Sequence, residues 1–132
     1  MPAAFWKGFD NPKFSDMPQI YKDEYLKINN DPAGLMNMFN KDVQRMRTFK
    51  DWTEEEIRSI QAPTFIVAGD RDVPTPEHAV EMVHLLPHAR LAILPGLHGS
   101  YIGELAVLDP KSKIPDLFLA MLEEFLVKDP AD

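Results

Sequence analysis

The chain has no cysteine. That absence excludes disulfides, thiolate metal ligands and cysteine nucleophiles together, and it is compatible with a reducing compartment. Positive charge is the next deficit: 14 Lys and Arg stand against 21 Asp and Glu, a formal net charge of −7. No Lys/Arg cluster overrides this average, so its field repels phosphate backbones and no nucleic-acid partner is expected. Long apolar runs are missing as well. Nothing approaches the roughly 20 consecutive residues of a membrane-spanning helix, and the opening Met1-Pro-Ala-Ala-Phe-Trp-Lys-Gly8 lacks a basic region followed by an apolar core. The expectation is a cytoplasmic protein with no membrane partner. Internal repeats and low-complexity tracts are also absent. What remains is ordinary for a folded domain: 132 residues, 45% hydrophobic and 27% charged, enough for one modest core and too short for two independent ones.

The character of the sequence changes at Ala62-Pro63. Before it the pattern is helical. Tyr21, Tyr25 and Ile28 recur at i, i+4 and i+7 behind Pro18, which predicts a short amphipathic helix ended by Asn29-Asn30-Asp31-Pro32. Asp31 suits an N-cap and Pro32 a first helical position, so a longer helix follows with Leu35, Phe39, Val43 and Met46 on its apolar face. Thr53-Glu-Glu-Glu56 is a capping box that opens a brief helix to about Ser59. After Ala62-Pro63, strand and helix alternate. Thr64-Phe-Ile-Val-Ala-Gly69 is short, apolar and bounded by a proline and a polar turn, as for a strand buried on both faces of a parallel sheet. Thr75-Pro76 starts a helix with Ala79, Val83 and Leu86 on one face, Pro87 stops it, and a second strand follows from about Arg90 to Leu94. Strand, helix and strand make one βαβ unit with parallel strands. Pro115 then opens an apolar helix, with Phe118, Met121, Leu122, Phe125 and Leu126 at helical spacing, expected to pack on that sheet. The fold class is α/β, with a helical segment over residues 1–60 and a β-α-β-α part over 61–132.

In open α/β sheets, functional groups gather in the loops that leave the carboxyl ends of the strands. Two such loops are present, Gly69-Asp-Arg-Asp-Val-Pro74 and Leu94-Pro-Gly-Leu-His-Gly99. Adjacent strands lie about 4.8 Å apart, so a carboxylate on one loop can reach an imidazole on the other. Such a carboxylate fixes the ring tautomer and stabilises the imidazolium that forms when the ring takes a proton. Asp72 and His98 are the candidate pair. Asp70 is the rival acid and reads better as a turn cap, while Asp72 itself could be ordinary turn chemistry before Val73-Pro74.

At this point the chain resembles a known family. Phe65-Ile-Val-Ala-Gly-Asp-Arg-Asp72, Pro76-Glu-His-Ala79 and Leu86-Pro-His-Ala-Arg-Leu-Ala-Ile-Leu-Pro-Gly-Leu-His-Gly99 look like the C-terminal part of α/β-hydrolases, over roughly Ile60 to Val127. The resemblance implies that Asp72 is the catalytic acid and His98 the catalytic histidine, in the family's order of acid before histidine. It implies further that Ser15 to Arg58 correspond to a helical cap, and that the substrate is a small molecule, ester-like in the first instance, with lactone, amide, carbon-carbon and halide chemistry also occurring on similar scaffolds. No cofactor or metal is expected. His84 and His88 have the spacing of two ligands on one helix face, but Pro87 interrupts that helix, and His78 reads as a surface residue. Met36, Met38, Met46, Phe5, Trp6, Phe9 and Phe14 read as core before they read as an adaptable pocket.

The family's nucleophile sits in a strand-to-helix elbow, Gly-x-Ser-x-Gly or a variant. Ser15, Ser59, Ser100 and Ser112 have no such context, and Gly8-Phe-Asp10-Asn-Pro12 follows no strand. The expectation is therefore a C-terminal hydrolase fragment that holds acid and histidine but needs a missing N-terminal half for its nucleophile and oxyanion donors. The competing readings are a self-associating module and a small-molecule-binding module in which the pair is a relic. A homo-oligomer is expected on separate grounds, because the apolar Thr64 to Gly69 strand would carry an unprotected edge.

Overall fold

The computed structural model describes residues 3–127 of the chain. Met1, Pro2 and residues 128–132, the ends of the two segments predicted above, lie outside the described residues. The chain divides into two compact units, Pro2–Asp51 and Trp52–Asp132, so the short helix that begins at Glu54 falls with the second.

The first unit is helical. It comprises α1 (Ala3–Lys7), a single 3₁₀ turn (Phe14–Asp16), α2 (Gln19–Ile28) and α3 (Pro32–Arg47). The sequence pattern did not anticipate α1, whose five residues are too few for a periodic signal. Leu35 is buried, and Phe39, Val43 and Met46 are half-buried along the same face of α3, as their spacing predicts. Two local expectations need correction. Ile28 is 85% exposed rather than part of the apolar face of α2, because it is the last helical residue and the chain turns away at Asn29. Asp31 adopts N-cap backbone angles, but its carboxylate makes no capping hydrogen bond.

The aromatic residues at the start of this unit fold back on α3 and the segment after it. Trp6 stacks on Phe49 at 5.7 Å between ring centroids, and Phe14 meets Phe39 edge-on at 5.6 Å. Arg47 locks the arrangement by donating through Nε to the Phe9 carbonyl at 2.8 Å and through Nη2 to the Asp10 carbonyl.

The second unit begins with α4 (Glu54–Arg58), capped as its sequence predicts. The Thr53 hydroxyl accepts from the Glu56 amide at 3.2 Å, while the Glu56 carboxylate accepts from the Thr53 amide at 2.8 Å. Then come β1 (Thr64–Gly69), α5 (Pro76–Leu85) and β2 (Ala89–Leu94), followed by two 3₁₀ turns (Ser100–Ile102 and Leu105–Val107) and α6 (Ile114–Val127). The strands pair in parallel over their full lengths, from Thr64 opposite Ala89 to Gly69 opposite Leu94. The connection through α5 is what lets two strands so close in sequence run in the same direction. Thr75 caps α5 by accepting from the His78 amide, with Pro76 in the first turn.

The core of this unit is small. Ala68, Ala79 and Leu86 are buried, and around them α6 lays Phe125 against Phe65 of β1 with ring centroids 5.2 Å apart. Phe118 of α6 meets Tyr101 edge-on at 5.3 Å. The expectation that β1 is buried on both faces holds only at Ala68 and Gly69; Thr64 to Val67 are half-buried. A two-stranded sheet has no central strand, so each strand keeps one unpaired edge. Leu126, expected on the packed face of α6, is 70% exposed, because that helix carries leucines on its outer side as well. Among the described residues, no helix is long and apolar enough to cross a membrane.

With so few side chains fully buried, each one weighs heavily. Truncating a buried leucine to alanine costs about 2–5 kcal/mol through lost transfer energy and the cavity left behind. Leu35→Ala is expected to lower the stability of the first unit by about 3 kcal/mol. A urea titration followed by helical circular dichroism reads this directly, and an unchanged midpoint would mean that Leu35 does not hold α3 in place.

Candidate functional site

The parallel ladder delivers two loops to one end of the sheet. In the first, the Gly69 carbonyl accepts from the Asp72 amide at 3.3 Å, closing a four-residue turn that sets the Asp72 side chain just beyond the strand. In the second, Gly96 and Gly99 adopt positive φ angles, +145° and +67°, that side-chain-bearing residues rarely take. Between these glycines stands His98.

The two loops are stitched together at Gly96. Its amide donates to the Asp70 carboxylate at 2.8 Å, and its carbonyl accepts from the Arg71 amide at 3.1 Å. The backbones approach so closely that a Cβ on Gly69 would run into the Gly96 carbonyl, and a Cβ on Gly96 would meet the Ser100 hydroxyl. Glycine at 69 is a steric requirement of bringing the loops together, and glycine at 96 suits the positive φ of the second loop and its contact with Ser100.

The outcome is a direct contact between Asp72 Oδ1 and His98 Nδ1 at 2.8 Å, across 26 residues of sequence. Asp72 Oδ1 also accepts from the Val73 amide at 2.6 Å, which fixes the carboxylate. An ionised carboxylate only accepts, so a neutral ring in this position places its hydrogen on the facing Nδ1 and leaves Nε2 its lone pair. The pair is asymmetric in exposure: the Asp72 side chain is 3% accessible and that of His98 71%. The carboxylate is held inside the turn, and the ring stands in solvent with Nε2 open to a reacting group.

Asp70, the rival acid, does not face His98. Its carboxylate serves the Gly96 amide instead of capping its own turn. Tyr101, which sequence reasoning passed over, donates its hydroxyl to the Val67 carbonyl at 3.1 Å. Burial pushes its phenol above the ordinary tyrosine value, and the nearby Asp72 charge pushes in the same direction. Its place three residues after His98 was the one available signal.

The serines do not reach the pair. Ser100 donates to the Leu97 carbonyl at 2.9 Å and Ser59 to the Glu56 carbonyl at 2.7 Å, while Ser15 bonds to Asp16 and Ser112 accepts from the Ile114 amide. His78 faces Glu81 at 3.6 Å on the exposed side of α5, and His84 and His88 are both exposed. Among the described residues, no group of three His, Asp or Glu side chains is arranged to hold a metal ion. Within the first unit, Trp6, Phe9, Asp10, Met46, Arg47, Phe49 and Asp51 line an open cleft of about 290 Å³. Trp6, Phe9 and Met46 therefore border solvent instead of closing a core.

No protein-family model, curated protein or solved structure matches the chain. The class that its own geometry defines is a mixed helix and strand protein with a parallel β-α-β unit and an Asp–His pair at the carboxyl end of its strands.

The tyrosine beside the pair can be read by titration. A raised folded-state value means that Tyr101 supports the fold fully below the ordinary tyrosine range and that this support is lost as pH rises into and beyond it. In an ultraviolet absorbance titration Tyr101 is expected to give a step above the ordinary tyrosine range. Tyr101→Phe should remove that late step; if the late step persists in the variant, the assignment fails.

Proposed function

We propose that Asp72 and His98 are the acid and base of an α/β-hydrolase-type catalytic apparatus acting on a small ester-like substrate. The observation that carries this reading is the 2.8 Å contact between Asp72 Oδ1 and His98 Nδ1, made by the loops that follow two adjacent parallel strands. In this role Nε2 of His98 takes the proton of a hydroxyl as that oxygen attacks the carbonyl carbon. The imidazolium, stabilised by Asp72, then gives the proton to the departing alkoxide. Water repeats the sequence on the acyl intermediate, with His98 again accepting a proton, and releases the carboxylic acid. Each serine of these 132 residues is engaged locally, so the attacking hydroxyl and its oxyanion donors belong to a part of the protein outside this sequence, upstream in the family's order or on a second chain.

The base can be tested without the nucleophile. Diethyl pyrocarbonate acylates neutral imidazole nitrogen, and a ring held by a carboxylate presents Nε2 with its lone pair outward. His98 is expected to be modified several-fold faster in the wild-type protein than in Asp72→Ala, as read by peptide mass spectrometry; equal rates would sink the proposal. In the same preparation, residues 1–132 should hydrolyse short acyl esters no faster than a His98→Ala control. Turnover abolished by that substitution would mean that a nucleophile is present after all.

A second reading, a module that associates with another copy of itself, draws on the unpaired outer edge of β1. By the alternation of the ladder, the amides and carbonyls of Phe65, Val67 and Gly69 point to that edge; the Val67 carbonyl is taken by Tyr101 and the Gly69 carbonyl by the Asp72 amide. Pairing two β1 edges across a two-fold axis would build a four-stranded sheet and cover both at once. Light scattering at micromolar concentration should return a dimer or larger species, and a monodisperse monomer would reject this reading.

A further inference from the structure

We propose that Asp70 is a positioning residue for the Asp72–His98 pair, an inference that rests on the catalytic reading above. The argument begins with the ladder. Bonds at the two ends of the ladder, from the Thr64 amide to the His88 carbonyl and from the Asp70 amide to the Leu94 carbonyl, show that even-numbered residues of β1 face β2. A parallel ladder continued by one more step would therefore bring the Gly96 amide to the main-chain carbonyl of residue 70. The bond is made instead to the Asp70 side chain, Oδ1, at 2.8 Å. Substituting a carboxylate for the main-chain carbonyl extends the pairing past the last strand residue while freeing the backbone of residues 69–72 to turn. That turn is what puts Asp72 in place.

The clamp is two-sided. The Gly96 amide goes to Asp70 Oδ1 and the Gly96 carbonyl to the Arg71 amide, so the residue two before His98 is held at both of its polar groups by the two residues before Asp72. His98 has no comparable support of its own: its side chain is 71% exposed and its one described partner is Asp72. The ring is held in register because the backbone that carries it is pinned, and Asp70 supplies half of the pin. Asp70 Oδ1 also lies 3.9 Å from Nε of the exposed Arg71 side chain, but it makes no described bond to the His98 ring and reaches the pair through Gly96.

A tautomer measurement separates positioning from bulk structure and from charge. In protein with ¹⁵N-labelled histidine, held at a pH where the ring is neutral, His98 should show the Nδ1–H form that Asp72 selects. His78, His84 and His88 serve as internal references. Asp72→Ala releases the ring to the tautomer mixture of an unconstrained imidazole. Asp70→Ala is expected to move His98 at least half as far in the same direction with the other three histidines unchanged. Asp70→Asn removes the charge but keeps an oxygen acceptor for the Gly96 amide, and should retain the wild-type signature.

The inference is overturned if Asp70→Ala leaves the His98 signature in place, or if Asp70→Asn loses it as fully as Asp70→Ala. If wild-type His98 shows no bias and Asp72→Ala changes nothing, the pairing itself fails and Asp70 has nothing to position. That result is distinct from the first two. Should Asp70→Ala not fold, Asp70→Asn decides through amide exchange: Gly96 protected to the wild-type degree together with an unmoved His98 signature is expected, and loss of either overturns the assignment.

Discussion

Two glycines facing each other at the end of a two-stranded parallel sheet constrain the whole of the second unit. Gly69 ends β1 and Gly96 follows β2, and the two lie so close that a Cβ on Gly69 would run into the Gly96 carbonyl. Because the strands are parallel and in fixed register, this single approach determines where both following loops depart. The turn of Asp72, the positive φ angles of the His98 loop and the reach of Tyr101 back to β1 are all downstream of it. Widening the gap by even one methyl group would separate the groups that it brings to hydrogen-bonding distance.

Burial then distinguishes the two members of the pair. Asp72 sits in the turn with its oxygen shared between the Val73 amide and the His98 ring, so the charge is fixed by two donors and shielded from water. His98 keeps its far nitrogen in solvent. A buried ion is expensive unless it is hydrogen-bonded, and the turn supplies that satisfaction before the ring contributes its own bond. The carboxylate is thus held from the turn side while the ring stands in solvent.

Much of this was legible in the residues. The continuous apolar run of β1, the Thr75-Pro76 start of α5, the Thr53–Glu56 capping box and the helical spacing of Phe118, Met121, Leu122 and Phe125 each encode a local preference that the structure obeys. The placing of Asp72 against His98 was also readable, since the turn Gly69-x-x-Asp72 and the loop after β2 must leave the same end of adjacent strands. What could not be read was tertiary. Periodicity places Ile28 and Leu126 on apolar faces but does not say where a partner surface ends. α1 is too short for periodicity to register, and its aromatic residues find their places only because Arg47 and Phe49 come back to them. The choice of Asp72 over Asp70 was readable, but the partner of Asp70 was not: its carboxylate takes the Gly96 amide of the neighbouring loop instead of capping its own turn, which depends on how closely the two loops approach.

Strand register gives the site a discrete character. Neighbouring residues along a strand are about 3.3 Å apart and point to opposite faces, so the smallest slip that restores both pairing and facing is two residues, about 6.6 Å. A displacement of that size exceeds the 2.8 Å separation of acid and base more than twofold. The strand pairing is therefore digital: the ladder can adopt the register that joins Asp72 to His98 or another that parts them completely, and only the loops beyond the strands can adjust the contact by degrees.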